Sequence, residues 1–167
     1  MKNVDIKQTK IKVAMADMKW GTDGDILSTS GLGSCVGIVI YSLRHQYACL
    51  IHAMLPFSGM ARKGQHVNEA KYADTALQKA FAGFEERGIP IASLEAKLAG
   101  GARMFQFQTD HLHIGKRNVE AAKEILAGRS VPVRAEETGG HTGRTIEFDV
   151  VTGVLRIKLT GGETTII

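Results

Sequence analysis

The chain has 167 residues, of which 44% are hydrophobic and 23% charged, with a net charge of +4 at pH 7. This length suits one globular domain, and no apolar run reaches the roughly 18 residues that span a bilayer. We therefore expect no membrane insertion. The Lys and Arg residues are scattered without interleaved aromatic residues, which argues against nucleic-acid binding. The N-terminus lacks the apolar segment of a signal peptide, so we expect a cytoplasmic protein.

Apolar and alternating runs predict strands over residues 10–16, 26–29, 36–42, 47–55, 94–99, 131–136, 145–150 and 154–159. Apolar residues spaced three and four apart predict helices over 67–87 and about 117–127. The pairs Gly139-Gly140 and Thr152-Gly153 are typical of hairpin turns. The order of these elements predicts an α+β fold, a layered sandwich of mostly antiparallel strands with two main helices. One domain over residues 1–167 is expected, with residues 1–9 as a loose arm.

One of the two cysteines has an unusual neighbourhood. Cys35 follows the glycine-rich turn Gly31-Leu32-Gly33-Ser34 and begins an apolar strand. Glycine permits tight backbone geometry and close approach of another chain segment. The N–H groups of Ser34 and Cys35 need not join the sheet, and such donors can form an oxyanion hole. Cys49 lies inside an apolar run and fits ordinary core packing. A cysteine that begins an apolar strand is also common in protein cores, so both interpretations of Cys35 remain open here.

A histidine on the neighbouring strand is the candidate partner of Cys35. If the link of this apolar hairpin is centred on Arg44 and His45, Gly37 faces His52 across the pair. Cys35 and His52 are then diagonal neighbours on one face of the sheet, within side-chain reach. Gly37 opposite the ring would leave space for the imidazole and a substrate. A register slip of one residue would place the two side chains on opposite faces.

These residue types suit the hydrolysis of an amide. A free thiol has a pKa of about 8.5, and a neighbouring imidazole can take its proton to give the nucleophile. The same ring can protonate the departing amine, which an amide requires. A hydroxyl at Thr29 can accept a hydrogen bond from the ring and orient it. A histidine in an apolar run is also often a satisfied buried group, and this interpretation of His52 remains open.

Other polar patterns are less specific. His111 and His113 alternate as two metal ligands on one strand would, with His66 or His141 as a further candidate. Their spacing is not diagnostic, so we predict no metal site. The turn from Gly139 to Arg144 could hold an anion in its backbone, although a flexible hairpin turn is the better explanation.

Five stretches of the sequence resemble the CheD family of bacterial chemoreceptor glutamine deamidases. They are Leu32-Gly33-Ser34-Cys35-Val36, His52-Ala53-Met54-Leu55-Pro56, Gly100-Gly101-Ala102-Arg103-Met104-Phe105, Ile114-Gly115-Lys116-Arg117-Asn118-Val119, and Gly139-Gly140 with Gly143-Arg144 leading into Thr152-Gly153. They occur in the order of the family and cover nearly the whole chain.

The resemblance implies an α/β sandwich related to deamidating bacterial toxins. It implies conversion of glutamines on the cytoplasmic helical bundle of methyl-accepting chemotaxis receptors into glutamates. The family's catalytic set falls on Cys35, His52 and Thr29, and we expect Gly33 and Ser34 to form the oxyanion and substrate loop. No cofactor is expected. The phosphatase CheC is the expected second partner.

Two alternative functions remain open at this point. A thiolate that attacks an amide can also attack an ester, so hydrolysis of receptor methyl esters is a rival activity. The chain could also act mainly as a binding module for CheC and the receptors, with catalysis secondary.

Overall fold

The structure, a computed structural model, describes residues 8–104 and 113–167. Its strands are β1 (Thr9–Lys12), β2 (Asp17–Thr22), β3 (Asp25–Leu32), β4 (Val36–Ser42), β5 (Tyr47–Ala53), β6 (Glu95–Gly100), β7 (Val133–Thr138), β8 (Arg144–Asp149), β9 (Leu155–Leu159) and β10 (Thr164–Ile166). The α-helices are α1 (Ala73–Glu86) and α2 (Ile114–Gly128), and short 3-10 helices cover Ser58–Met60, Glu69–Lys71 and Ile91–Ser93. Within these ranges, no helix is both long enough and apolar enough to cross a membrane.

The elements form three layers. A central sheet has the strand order β2-β5-β4-β6-β7, and an outer sheet has the order β1-β3-β8-β9-β10. The helices pack on one face of the central sheet and the outer sheet packs on the other. Most paired strands are antiparallel, whereas β1–β3 and β6–β7 are parallel. The predicted α+β sandwich of mostly antiparallel strands with two main helices is confirmed.

The hairpin of β4 and β5 lies at the centre of the molecule. Every residue of both strands is buried, because one layer covers each face of the pair. Gly37 pairs with His52, so the predicted register is confirmed. Since side chains alternate along a strand, Val39 and Leu50 face the outer sheet, whereas Ile38 and Cys49 face the helices.

Several element boundaries differ from the sequence prediction. The strands β2 and β10 were not predicted. The helix α1 begins at Ala73 rather than near residue 67, because Tyr72 is extended and Asn68 caps a separate 3-10 helix. Of the predicted N-terminal arm, residues 1–7 lie outside the described residues and Thr9 begins β1.

The segment Gly139-Gly140 is not the predicted hairpin turn. It follows β7, which pairs in parallel with β6 in the central sheet, and precedes β8, which belongs to the outer sheet. The turn therefore carries the chain from one sheet to the other. The Thr152-Gly153 segment does join two antiparallel partners, β8 and β9.

An aromatic cluster fixes the edge strand β2 to the first helix. The Trp20 ring stacks on Tyr47, with centroids 5.2 Å apart, and meets the edge of Phe84 at 5.0 Å. The same ring lies directly over Gly83 of α1, where an added Cβ would be 2.4 Å from Trp20 Cζ2. A glycine in the helix interior is therefore required by close packing at this point.

We predict opposite stability effects for alanine at two helical glycines. Gly83→Ala should lower the free energy of unfolding by about 1–3 kcal/mol, because the Trp20 ring is held by its neighbours and cannot move away. Gly128→Ala, at a position with nothing within 4 Å of its Cβ, should raise it by about 0.5 kcal/mol through helix propensity. Urea denaturation measures both values. An unchanged or raised stability of Gly83→Ala would contradict the packing.

Candidate functional site

The loop that carries Cys35 joins β3 to β4 and is hydrogen-bonded to Gly101 and Ala102, which follow β6. We call residues 33–35 the Cys35 loop. The Gly101 N–H donates to Cys35 O at 2.8 Å, and the Ala102 N–H donates to Gly33 O at 2.8 Å. Gly100 has a φ of +105°, and a Cβ there would lie 2.4 Å from Cys35 O. Only glycine permits this approach, so Gly100 fixes where the loop lies.

Two N–H groups of the Cys35 loop donate to no main-chain carbonyl of the described residues. Across residues 8–104 and 113–167, no main-chain carbonyl accepts a hydrogen bond from the N–H of Ser34 or of Cys35. The Cys35 side chain is 7% exposed. Burial raises the pKa of its thiol, and its own N–H offsets part of that rise. The resting thiol is therefore protonated at neutral pH, and it lies beside donors that can serve an oxyanion.

The imidazole of His52 is buried between the two sheets and bonded to Thr29. Thr29, on β3, has its Oγ1 2.7 Å from His52 Nδ1. The same hydroxyl donates to Val13 O at 2.7 Å. A carbonyl oxygen only accepts, so the single hydroxyl proton is committed to Val13. The ring Nδ1–H must then donate to Thr29, which leaves Nε2 without a proton.

The remaining ring nitrogen is a base without a partner. His52 Nε2 is buried and has no hydrogen-bond partner among the described residues. Burial lowers the pKa of His52, which keeps the ring neutral. Cys35 lies on the same face of the central sheet, as the confirmed register requires. No hydrogen bond joins the two side chains, and the raised pKa of Cys35 and lowered pKa of His52 both favour the neutral form of each group.

The space expected opposite His52 is filled. A Cβ on Gly37 would lie 2.8 Å from Ile146 Cδ1 and 3.0 Å from Leu32 Cδ1, so these side chains occupy the gap. The prediction of a substrate space at Gly37 was wrong, because the outer sheet packs tightly there. A cleft of about 360 Å³ instead lies beside the Cys35 loop, with Ser34 and Met54 in its wall.

A buried arginine supports the glycine segments behind the Cys35 loop. Arg144 forms an ion pair with Glu137 and donates to Gly139 O at 2.7 Å and Gly100 O at 3.4 Å. Arg144 lies in one of the stretches that resemble the family, but no role was predicted for it. The same is true of Asn118, a polar residue on the apolar face of α2 that is fully buried. Its position on that face was the available signal.

The described histidines among the candidate metal ligands line two different clefts. His113 and His141 line a cleft of about 490 Å³ beside α2, whereas His66 lines a different cleft. His111 lies outside the described residues. Where the chain is described, no three His, Cys, Asp or Glu side chains are grouped as a metal site would need. The turn at Gly139-Gly140 instead accepts a bond from the Arg103 N–H at Gly140 O.

Comparison with known proteins places this chain in a family. The family model described as CheD chemotactic sensory transduction matches residues 54–159. A probable chemoreceptor glutamine deamidase CheD of Geobacillus kaustophilus is 47% identical over 156 residues, 92% of this chain and 94% of that protein. The chain belongs to the CheD family. The resemblance seen in the sequence is thus confirmed.

Other CheD relatives match over a similar length. The chemoreceptor glutamine deamidase CheD of Bacillus subtilis is 46% identical over 159 residues, 93% of this chain and 95% of that protein. A probable chemoreceptor glutamine deamidase CheD of Pyrococcus abyssi is 46% identical over 156 residues, 92% of this chain and 94% of that protein. The similarity to CheD proteins therefore extends over nearly the full length of the chain.

We predict that the Thr29 hydroxyl is needed to satisfy the buried ring. Thr29→Val keeps the shape but leaves the Nδ1–H of His52 without an acceptor, so the free energy of unfolding should fall by about 1–3 kcal/mol. Thr29→Ser retains the hydroxyl and should lose only about 1 kcal/mol, for the missing methyl group. Urea denaturation at pH 7.5 compares the two. Equal losses in both variants would show that the hydrogen bond contributes nothing.

The buried neutral ring also predicts a pH dependence of stability. The pKa of His52 is lowered in the folded chain, so its contribution is complete above the unfolded pKa of about 6.5 and is lost as pH falls from there through the folded pKa. The urea midpoint should therefore drop between pH 7.5 and 5.5. The drop should be smaller in His52→Gln, which cannot take up the proton. An identical drop in both proteins would contradict this assignment.

Proposed function

We propose that this chain is a chemoreceptor glutamine deamidase that acts in the cytoplasm during chemotaxis adaptation. Its substrates would be glutamine side chains on the helical bundle of methyl-accepting chemotaxis receptors, and its products glutamate and ammonia. The observation that carries the proposal is the Thr29–His52 hydrogen bond, which presents an unprotonated Nε2 on the sheet face that carries Cys35. Curated CheD relatives bear the name of this activity.

The first half of the reaction forms a thioester. A glutamine side chain enters beside the Cys35 loop, and His52 Nε2 takes the proton of the Cys35 thiol as the sulfur attacks the amide carbonyl carbon. The N–H groups of Ser34 and Cys35 donate to the oxygen that becomes negative. The imidazolium then protonates the nitrogen, the carbon–nitrogen bond breaks, and ammonia departs. The imidazole is neutral again at this stage.

The second half returns the enzyme to its resting state. His52 takes a proton from water, and the resulting hydroxide attacks the thioester carbonyl carbon. The carbon–sulfur bond breaks, the proton returns to the Cys35 sulfur, and a glutamate side chain is released. Thr29 keeps Nδ1 protonated throughout, so Nε2 is the nitrogen that moves protons in both halves.

Because this site is buried, it binds a neutral substrate more favourably than a charged product. Because burial raises the pKa of Cys35 and lowers that of His52, an ion pair between them is not the resting state. The proton transfer then accompanies the attack. Burying a neutral glutamine amide in this environment costs little free energy. Burying the glutamate carboxylate costs much more, because a charged group loses its hydration. This difference favours product release.

The second partner we propose is the phosphatase CheC. This expectation rests on the family resemblance, and binding of the purified proteins tests it directly. A role as a binding module alone predicts that Cys35→Ala restores chemotaxis to a strain lacking the protein, whereas the deamidase function predicts that it does not.

We predict that turnover depends on one of the two cysteines only. Cys35→Ala and His52→Gln should each lower the deamidation rate by at least about a thousandfold, because each removes an atom that forms or breaks a bond. Cys49→Ala is the matched control and should keep near wild-type activity, since Cys49 faces the helices. Mass spectrometry of a receptor cytoplasmic fragment follows the conversion.

Two results would count against this function. Deamidation by Cys35→Ala at the wild-type rate would remove the thioester mechanism. Faster release of methanol from methylated receptor peptides than of ammonia from glutamine-bearing ones would show that ester hydrolysis is the main activity instead.

A further inference from the structure

One buried side chain joins the two segments that carry the proposed catalytic pair. Asn118 lies on α2 and is fully buried. Its Nδ2 donates to Ser34 O at 2.8 Å and to Met54 O at 3.0 Å. Ser34 directly precedes Cys35, and Met54 follows His52 by two residues. A single nitrogen atom therefore links the Cys35 loop to the end of strand β5.

The two donors distinguish asparagine from other residues of its size at this place. A hydroxyl would supply one hydrogen bond and leucine none, so at least one of the two carbonyls would lose its donor. The other half of the amide is left unused, since Asn118 Oδ1 is buried without a hydrogen-bond partner in the described part of the chain. A buried acceptor without a donor is unfavourable. The two hydrogen bonds of its NH2 group therefore account for an asparagine at this buried position.

The helix that carries Asn118 is fixed against the segment behind the Cys35 loop. A Cβ on Gly115 would lie 2.5 Å from Ala102 O and 2.6 Å from Gly101 O, so helix and segment are in direct backbone contact. Gly101 and Ala102 are the residues whose N–H groups hold the Cys35 loop. The Asn118 amide therefore donates to Ser34 O from a helix that is fixed against this segment.

A hydrogen bond at Ser34 O determines the direction of the Cys35 N–H. The two groups belong to one planar trans peptide and point in opposite directions. Asn118 holds the carbonyl from the helix side of the central sheet, so the N–H points to the side of the outer sheet, where the Cys35 thiol packs. A carbonyl that accepts a hydrogen bond also polarises its peptide and makes the N–H a stronger donor.

We propose that Asn118 is a positioning residue, which aims the Cys35 N–H at the oxyanion and fixes the spacing between Cys35 and His52. The inference rests on the proposed deamidase function and deepens it. Asn118 touches neither the substrate nor the reacting sulfur and acts through the Ser34–Cys35 peptide. Burial raises the pKa of Cys35, and the offset of part of that rise by its own N–H agrees with this direction of the peptide.

The test compares Asn118→Leu and Asn118→Asp with Leu126→Ala. Leu126 is a buried residue on the same helix, about 12 Å along the axis from Asn118, and its truncation destabilises without touching the loop. Two quantities are measured for folded protein: kcat and KM on a receptor fragment, and the pH midpoint of Cys35 alkylation by iodoacetamide. The alkylation requires no substrate, so it reports on the thiol alone.

Asn118→Leu should lower kcat about ten- to a hundredfold with KM changed less than about twofold, because an oxyanion donor is misdirected. Its alkylation midpoint should move to higher pH, since the N–H no longer supports the thiolate. Asn118→Asp, which in its protonated form keeps one donor, should give an intermediate loss in kcat. Leu126→Ala should unfold at lower urea concentration with kcat and the midpoint unchanged.

A wild-type kcat and alkylation midpoint in Asn118→Leu would overturn the positioning role. If Asn118→Leu does not fold, the same wild-type values in Asn118→Asp would overturn it. A kcat loss with an unchanged midpoint and a Leu126→Ala variant equally impaired would also overturn it, since that result describes stability alone. Failure of the proposed function is separate: wild-type protein would then show no Cys35-dependent deamidation, while the midpoint shift would still be present.

Discussion

A hydrogen bond between the Thr29 hydroxyl and the His52 ring joins the two sheets in the middle of an apolar interior. An imidazole buried there without a partner would be strongly unfavourable, so the Thr29 hydroxyl is required by the packing as much as by any chemistry. Because the hydroxyl donates onward to Val13 O, the bond also selects the tautomer of the ring. One short chain of hydrogen bonds thus ties the segment after β1 to β3 and β5, and it leaves Nε2 of the ring without a proton.

Because hydrogen bonds hold the His52 ring in place, the position of the Cys35 loop sets the spacing between Cys35 and His52. The loop is placed by Gly100, whose missing Cβ admits Cys35 O, and by the donors of Gly101 and Ala102. Arg144 in turn holds Gly100 O and Gly139 O. Arg144, which is paired with Glu137, therefore supports the two glycine segments, and Gly100 and Gly101 support the loop. These contacts leave the N–H groups of Ser34 and Cys35 without a main-chain acceptor among the described residues.

The sequence could reveal the parts of this site that depend on side-chain periodicity. The paired strands β4 and β5 are apolar throughout and have a short link, so their register and the shared face of Cys35 and His52 followed from the position of the turn. Main-chain carbonyls such as that of Val13 carry no such signal, because any residue supplies one. The Gly139-Gly140 turn was misjudged for a related reason: glycine marks a turn but does not show that β7 and β8 enter different sheets.

The two cysteines show how the alternation of side chains along a strand separates the proposed nucleophile from a core residue. Both belong to the same hairpin, yet Cys49 faces the helices and Cys35 faces the outer sheet. Cys49 is enclosed by apolar side chains, and burial raises its pKa well above the usual range. Cys35 lies at the strand end, where its own N–H offsets part of the same effect. A register slip of one residue would place Cys35 and His52 on opposite faces of the sheet. The pairing of β4 with β5 is therefore a condition for the chemistry as well as for the fold.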